Sequence, residues 1–437
     1  GKPALLVALD CGTTSVAEAK WLREQGVDCI MVDHHEPGNA LPDCVALVNP
    51  KLSGGRGDFC TAGLVFKLLH GLLKLRQIPN FDLRELLDLT AMGTVADLVP
   101  LVGENRIIVK KGLERITSTR RVGLRALKLA AGLDGHVDTH HIGFRLGPRL
   151  NASGRLDHAQ ASLDLLLCDD PAKAESYAAQ LDVLNRERQE VERQAHLEAK
   201  EQILAHPAFA EAPCIVLGSR SWHPGVVGIV ASRLMRDFHR PAMVLAFDEN
   251  GTGKGSGRSV AGISLVEALD ECRHLILKGG GHAMAAGVTL EQTHLDAFRE
   301  TMCASVARQT GSGSLRARVE CDVECSLGDL NRRFFRELCR LEPFGMGNPE
   351  PVFMLREVSP SLPGQILKER HWKVWLRQNG HSLPAMWFSA PLDEIPPPPW
   401  DAAVKLQRQI WRGTESWTLL IQAVRSADSK NPSLAPV

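Results

Sequence analysis

Near the start of the chain the apolar positions form a short run from Leu5 to Leu9, closed by Asp10-Cys11-Gly12. From Val16 to Gln25 they recur at helical spacing, with Ser15 placed as N-cap and Gly26 as the stop. Cys29 to Val32 is a second short apolar run. Strand, helix, strand in that order predicts parallel strands joined by a right-handed crossover. The turn-rich stretch Gly54-Gly55-Arg56-Gly57 precedes predicted helices over 61–75, 83–92 and 104–116. Most of residues 1–135 therefore reads as an α/β layer.

From Ala172 to His206 there is neither Gly nor Pro, and charges crowd the stretch after Leu184 (Arg186, Glu187, Arg188, Glu190, Glu192, Arg193). This pattern predicts a long, solvent-washed helix bridging two domains. Beyond it, strands are predicted at 213–217, 242–247 and 286–290 and helices at 226–237, 264–272 and 294–307, a second and smaller α/β domain. Gly311-Ser312-Gly313-Ser314 reads as a flexible joint. The last stretch changes period: 352–354, 373–376, 385–388, 402–406 and 417–424 are alternating or β-rich, separated by turns such as Pro396 to Pro399 and Arg412-Gly413. About five short strands predict a small barrel of the oligonucleotide-binding type. Six of the 8 tryptophans (Trp372, Trp375, Trp387, Trp400, Trp411, Trp417) lie there. Buried rings would pack the barrel and exposed ones would stack on bases; the sequence leaves both roles open.

Composition narrows the classes. At 44% hydrophobic and 23% charged the chain is that of a folded protein, and 437 residues amount to two or more domains. No run approaches the ~18–20 apolar residues of a membrane span. Basic and acidic residues balance at 51 each, so nucleic-acid binding would have to come from local basic grooves. The 11 cysteines include no CxxC pair, as in a reduced, intracellular protein; Cys321 and Cys325 lack the further ligands of a zinc site. With neither a starting Met nor a signal-peptide pattern before the first strand, the expectation is a piece cut inside a domain.

Asp10 ends the first predicted strand and Asp33-His34-His35 ends the second. Neighbouring strand ends of an open parallel sheet share one crevice, so these groups should converge. Carboxylates and imidazoles together suit Mn²⁺ and related divalent ions. Asp97, at the turn after Gly93-Thr94-Val95-Ala96, is a further candidate. A single strand-end aspartate is usually a cap, but three titratable groups in a row are costly to desolvate and point to a functional cluster. Such a cluster suits phosphoester hydrolysis, in which paired ions activate water and neutralise phosphoryl oxygens, and a pair needs more ligands than these residues supply. Gly147 to Leu156 reads as a rigid polar loop whose Arg149 and Arg155 either clamp phosphate or make structural salt bridges. Three glycine-rich segments, His223 to Gly228, Gly255 to Ser259 and Lys278 to Ala283, each carry a basic or imidazole group and together favour an anion-binding face.

In order and approximate spacing, Asp10 to Ser15, Asp33-His34-His35, Gly93 to Asp97, Gly147 to Leu156, Gly255 to Ser259 and Gly279 to His282 resemble the DHH/DHHA1 phosphoesterases of the RecJ type, over essentially the whole chain. The resemblance implies a parallel-sheet DHH domain over 1–170, a long connecting helix over 171–205, a DHHA1 substrate-binding domain over 206–310 and an OB-like nucleic-acid-binding domain over 311–437. It implies a bacterial, cytoplasmic, single-strand-specific 5′→3′ DNA exonuclease that uses two Mn²⁺ or Mg²⁺ ions to release 5′ mononucleotides in repair and recombination, beside a helicase and a single-strand-binding protein. Carried over by position, Asp10 would bridge two ions, His34 and Asp97 would be ligands, Asp33 would orient the cluster and His35 would contact phosphate. Ser256, Arg258 and Ser259 would receive the 5′ phosphate, His282 would face the metals, and Arg149 and Arg155 would contact the strand. The family's aspartate-rich first motif is expected before Leu5, leaving the metal site incomplete in this chain. Two alternatives stand beside this reading: a DHH-family phosphodiesterase of short oligonucleotides or cyclic dinucleotides, and a non-catalytic single-stranded-DNA-binding scaffold.

Overall fold

The computed structural model describes residues 3–52, 54, 58–156, 159–311, 315, 318–361, 363–368, 370–411 and 414–427. The predicted turns and joint at Gly55 to Gly57, Ser312 to Ser314 and Arg412-Gly413 lie outside the described residues. Three parallel strands open the chain, β1 (Leu5–Leu9), β2 (Asp28–Val32) and β3 (Ala46–Val48), in the order β1-β2-β3. The crossover helix α1 (Val16–Glu24) buries Ala19 with Cys29 and Met31 of β2. Helices α2 (Thr61–Leu75), α3 (Leu87–Ala96) and α4 (Gly103–Thr117) follow. Gly112 lets α4 meet α3 closely, since a Cβ there would lie 2.2 Å from that of Ala91.

Two compact units emerge: Gly1–Ile116 together with Arg318–Val437, and Thr117–Ala317. The second contains α5 (Val122–Ala130), α6 (Thr139–His141), α7 (Gly147–Leu156), α8 (Gln160–Leu167), the long helix α9 (Pro171–Ala205) and α10 (Pro207–Ala210). Residues 117–170 thus cluster with the long helix and the second sheet, not with the first strands. Asp170 caps α9 by accepting the amides of Ala172 and Lys173, with Pro171 in the first turn, where its missing N–H costs nothing. Although α9 was expected to be washed by solvent, it buries a continuous stripe that includes Ala178, Leu181, Ala195 and Ile203. Two of its charges, Arg188 and Glu192, lie in that stripe and pair at 2.8 Å, because i and i+4 share a helix face.

The sheet of this unit comprises β4 (Ile215–Ser219), β5 (Ala242–Phe247), β6 (Thr252–Arg258), β7 (Lys278–His282) and β8 (Ala285–Glu291), ordered β4-β5-β6-β8-β7 and flanked by α11 (Val227–Phe238), α12 (Leu265–Glu271) and α13 (Leu295–Thr310). Here two expected glycine-rich loops are strands. Gly253, Gly255 and Gly257 of β6 lie opposite Phe247, Leu245 and Met243 of the fully buried β5, whose side chains fill the space a Cβ would need. Gly281 of β7 likewise lets β8 come close: a Cβ there would sit 2.4 Å from the Ala285 carbonyl oxygen.

The first unit is completed by β9 (Val323–Cys325), α14 (Arg332–Cys339), β10 (Phe353–Pro360), β11 (Gln365–Leu367), β12 (His371–Gln378), β13 (His381–Trp387), β14 (Trp400–Trp411) and β15 (Thr414–Ser426). Pairings run β12-β13-β15-β14-β10, and the pairs Ser359–Arg377 and Pro360–Leu376 join β10 back to β12, closing a ring of five strands. That is the connectivity of an oligonucleotide-binding fold, and closure removes the open edges. Trp372, Trp387 and Trp400 fill its core, and Trp417 stacks on Phe335 with ring centres 4.4 Å apart. Trp375 is 49% exposed, while the side chain of Trp411 lies outside the described residues. Among the described residues no helix is long and apolar enough to cross a membrane.

Candidate active site

The parallel register sets Leu9 beside Val32 and Val32 beside Val48, and the ladder continues one step beyond the strands. The Asp10 amide donates to Val32 O and the Asp33 amide to Val48 O, each at 3.0 Å. Asp10 and Asp33 therefore start their turns side by side at the carboxyl rim, where ligands of open α/β sheets bind. Asp10 holds a left-handed φ of 67°, a conformation that aspartate tolerates better than most residues. Gly12 follows at φ +118°, and a Cβ there would meet Met31 Sδ at 2.8 Å, so only glycine fits this turn.

The side chains converge as the spacing predicts. His34 Nε2 lies 3.3 Å from Asp10 Oδ1 and 3.3 Å from Asp97 Oδ2. Asp97 arrives from the C-terminal end of α3. Asp10, His34 and His35 each offer a ligand atom, all within 4.8 Å of one another, and no other such cluster of acidic, histidine or cysteine groups occurs among the described residues. The His34 ring is 18% exposed, whereas Asp10 and His35 open to solvent. A half-sheltered site with two oxygen donors and one or two nitrogen donors fits a hard or borderline divalent ion.

Asp33 does not join that group; it is buried and turned inward. One carboxylate oxygen accepts the amides of His34 (2.8 Å) and His35 (3.3 Å) and contacts the His35 ring Nδ1 at 2.7 Å, and the other accepts the Thr13 amide at 3.0 Å. Burial alone would raise its pKa, but the Thr13 and His35 hydrogen bonds outweigh it and hold the carboxyl well below the usual carboxylate range. Because the folded pKa lies below the unfolded one, this stabilisation is present above about pH 4 and is lost as pH falls through the folded value. Asp33→Asn, which loses the charge and one acceptor, is expected to weaken Mn²⁺ affinity by about 10–100-fold, read by calorimetric titration; unchanged affinity would contradict the orienting role. At Asp97, burial is the largest influence and raises the carboxyl pKa; His34 opposes it and Asp10 adds to it.

Sequence reading missed Asn49. Its buried amide donates to Thr13 Oγ1 and to His35 O, each at 2.9 Å, and its Oδ1 accepts the Lys51 amide, so it ties the turns after β1, β2 and β3 together. The Asn49-Pro50 pair at a strand end was the available signal, and it reads only as a turn.

The remaining candidates lie in the second unit. Arg149 and Arg155 sit on α7, a helix where a loop was expected; Pro148 falls in its first turn, which tolerates proline, and Ser153 bonds Ser162 Oγ at 2.9 Å. Arg149 binds Asp182 through Nε (3.0 Å) and a terminal nitrogen (2.9 Å), and Arg145 O at 2.7 Å, the structural salt bridge of the two alternatives. The side chain of Arg155 lies outside the described residues. Ser256 and Arg258 on β6 meet at 3.0 Å and face Gly228 in the first turn of α11, where a Cβ would stand 3.0 Å from Ser256 Oγ and 3.5 Å from the Arg258 guanidinium. A serine, an arginine and the amide end of a helix share that bare space. Ser259 instead is buried and donates to Ile263 O at 2.8 Å, while His282 ends β7 exposed.

The sequence matches the DHH family N-terminal domain over residues 3–94, the DHHA1 domain over 211–308 and the RecJ OB domain over 321–423. Fold and site thus define a DHH-type architecture carrying an oligonucleotide-binding barrel. The single-stranded-DNA-specific exonuclease RecJ of Bacillus subtilis is 40% identical over 392 residues, which cover 88% of this chain and 49% of that protein. RecJ of Dickeya dadantii is 36% identical over 450 residues, 96% of this chain and 77% of that protein. A crystal structure of RecJ in complex with Mn²⁺ from Thermus thermophilus matches with a TM-score of 0.84 at 36% identity, covering 97% of this chain and 62% of that one. The chain belongs to the RecJ family, and it spans about half the length of the Bacillus relative.

Proposed function

We propose that the protein hydrolyses single-stranded DNA from its 5′ end, releasing 5′ mononucleotides, with Mn²⁺ or Mg²⁺ held by Asp10, His34 and Asp97. The observation that carries this reading is the His34 ring nitrogen 3.3 Å from two carboxylates at one sheet rim. When bound, such ions lower the pKa of water and neutralise phosphoryl oxygens. The chain's own groups do the rest. Asp33 fixes the backbone and ring that present the two histidines, and the exposed His35 ring is free to meet a phosphate oxygen. Ser256 and Arg258, with the first turn of α11, hold the terminal phosphate; Arg155 and His282 would flank the strand. The barrel carries the trailing bases. Work beside a helicase and a single-strand-binding protein in repair and recombination, in the bacterial cytoplasm, belongs to the same proposal.

The test is a time course on a single strand labelled at either end, with and without Mn²⁺. Metal-dependent release of labelled mononucleotide from the 5′ end first is expected; release from the 3′ end, or none that needs metal, would overturn the proposal. Among the described residues Trp375 is the half-exposed barrel tryptophan, on the outward face of β12 between Lys373 and Arg377. Stacking on an aromatic ring is worth ~1–3 kcal/mol per base, so Trp375→Ala should weaken binding of a long single strand by roughly tenfold, measured by fluorescence anisotropy. Trp375→Phe should restore most of it.

A further inference from the structure

Helix α14 divides into two faces. At about 100° per residue, Arg332, Arg336, Arg340 and Arg333 fall within one arc of about 100°, while Phe334, Phe335 and Leu338 fall on the opposite side. The apolar side is anchored on the barrel: Phe335 and Leu338 are buried in its core, and Phe334 meets the Phe353 ring of β10 at 5.5 Å. The arginine side faces solvent. Arg340 is paired with Glu337 at 2.6 Å, but the guanidinium groups of Arg332, Arg333 and Arg336 have no ion-pair or hydrogen-bond partner among the described residues. Three unneutralised guanidinium groups on one turn and a half of helix repel one another, an arrangement that nothing among the described residues compensates. It stands out in a chain whose charges balance at 51 and 51. The stacking of Phe335 on Trp417 also sets α14 beside the β14–β15 hairpin, the side from which oligonucleotide-binding barrels take up their ligand.

We infer that the arginine ridge of α14 is a phosphate track for the single strand held by the barrel, separate from the hydrolytic centre and serving to retain long substrates. The inference rests on the proposed single-strand reading. Guanidinium groups suit phosphate oxygens geometrically as well as by charge, and contacts to the backbone are indifferent to base sequence, as an exonuclease requires. The ridge, about 12 Å long at 1.5 Å per residue, would engage a few consecutive phosphates.

The test compares the wild type with the triple substitution Arg332→Ala, Arg333→Ala, Arg336→Ala and with the corresponding triple lysine variant. Affinity for a fluorescent thymidine 30-mer is measured across a salt series, and hydrolysis of a trinucleotide is measured in parallel. Losing three phosphate contacts should flatten the slope of log affinity against log salt by about 2 and lower affinity about tenfold or more, with trinucleotide turnover unchanged. The lysine variant, which keeps the charge, should retain most of the slope. A wild type that binds the 30-mer, with an alanine variant of unchanged slope and affinity, would overturn the ridge alone and point to an acidic protein as its partner. A wild type that does not bind the 30-mer would overturn the single-strand reading and the ridge with it. Equal loss in the alanine and lysine variants would also overturn the phosphate track, since charge would not be what matters.

Discussion

Replacing His34 with alanine is expected to lower metal-dependent nucleotide release roughly a thousandfold, about 4 kcal/mol at ~1.36 kcal/mol per tenfold. Among the described residues the imidazole is the one group that touches both carboxylates, at 3.3 Å each. Without it, Asp10 and Asp97 face each other across a gap with one donor fewer and no group to offset their repulsion, in a place where burial already raises the Asp97 pKa. His35→Ala should cost less, because that ring is exposed and its Nδ1 is engaged by Asp33 instead of by the cluster. Initial rates on a 5′-labelled strand at saturating Mn²⁺ check both. A His34→Ala rate within threefold of wild type would remove His34 from the reaction.

The largest stability effect is expected in the barrel, at Asp401. This residue lies near the start of β14 and is 7% exposed. Its Oδ2 accepts Arg356 at 2.6 Å and Arg425 at 3.1 and 3.2 Å. Burial favours the neutral acid, but the two arginines outweigh it and hold the carboxyl below its ordinary value. Removing one partner of a buried ion pair typically costs ~3–5 kcal/mol. Both arginines are about one-third exposed and can rehydrate, so Asp401→Ala should fall at the lower end, near ~3 kcal/mol. The sign of the pH effect follows from the lowered folded pKa: the wild-type advantage over Asp401→Ala is full above about pH 4 and shrinks as pH drops through the folded value. Urea unfolding followed by tryptophan emission reads this, because Trp372, Trp387 and Trp400 are buried in the same core. Equal midpoints at pH 7 would show that the pairs contribute nothing.

Where local pattern and tertiary environment agree, the sequence announced the structure. The run from Leu5 to Leu9 is β1 residue for residue, the long helix begins at Pro171 as its capping aspartate dictates, and the five β-rich stretches near the end are the five strands of the ring. The cluster of carboxylates and imidazoles was legible for a similar reason: two neighbouring strands end in acidic residues, and parallel pairing brings strand ends together. What stayed hidden depends on partners far along the chain. Glycines 253, 255 and 257 look like a loop until β5 supplies the large side chains that occupy their missing Cβ positions. Gly147 to Leu156, rich in Gly, Pro, Asn and Ser, is helical because Ala152 and Ser153 are buried in its unit, an outcome that local propensity opposes. Asn49 left no mark because its three bonds reach turns 14 to 36 residues away in one direction and its own neighbour in the other. The tryptophans separated only with three-dimensional burial, which set Trp375 apart from Trp372 three residues earlier.

The arrangement of Asp10, His34 and Asp97 as one cation site is open to direct observation. Crystals of the protein soaked in MnCl₂ and measured at the manganese absorption edge should give an anomalous peak in contact with the His34 ring and the two carboxylates, absent from His34→Ala crystals treated alike. No peak at this rim at millimolar Mn²⁺, or a peak that survives unchanged in His34→Ala, would contradict it.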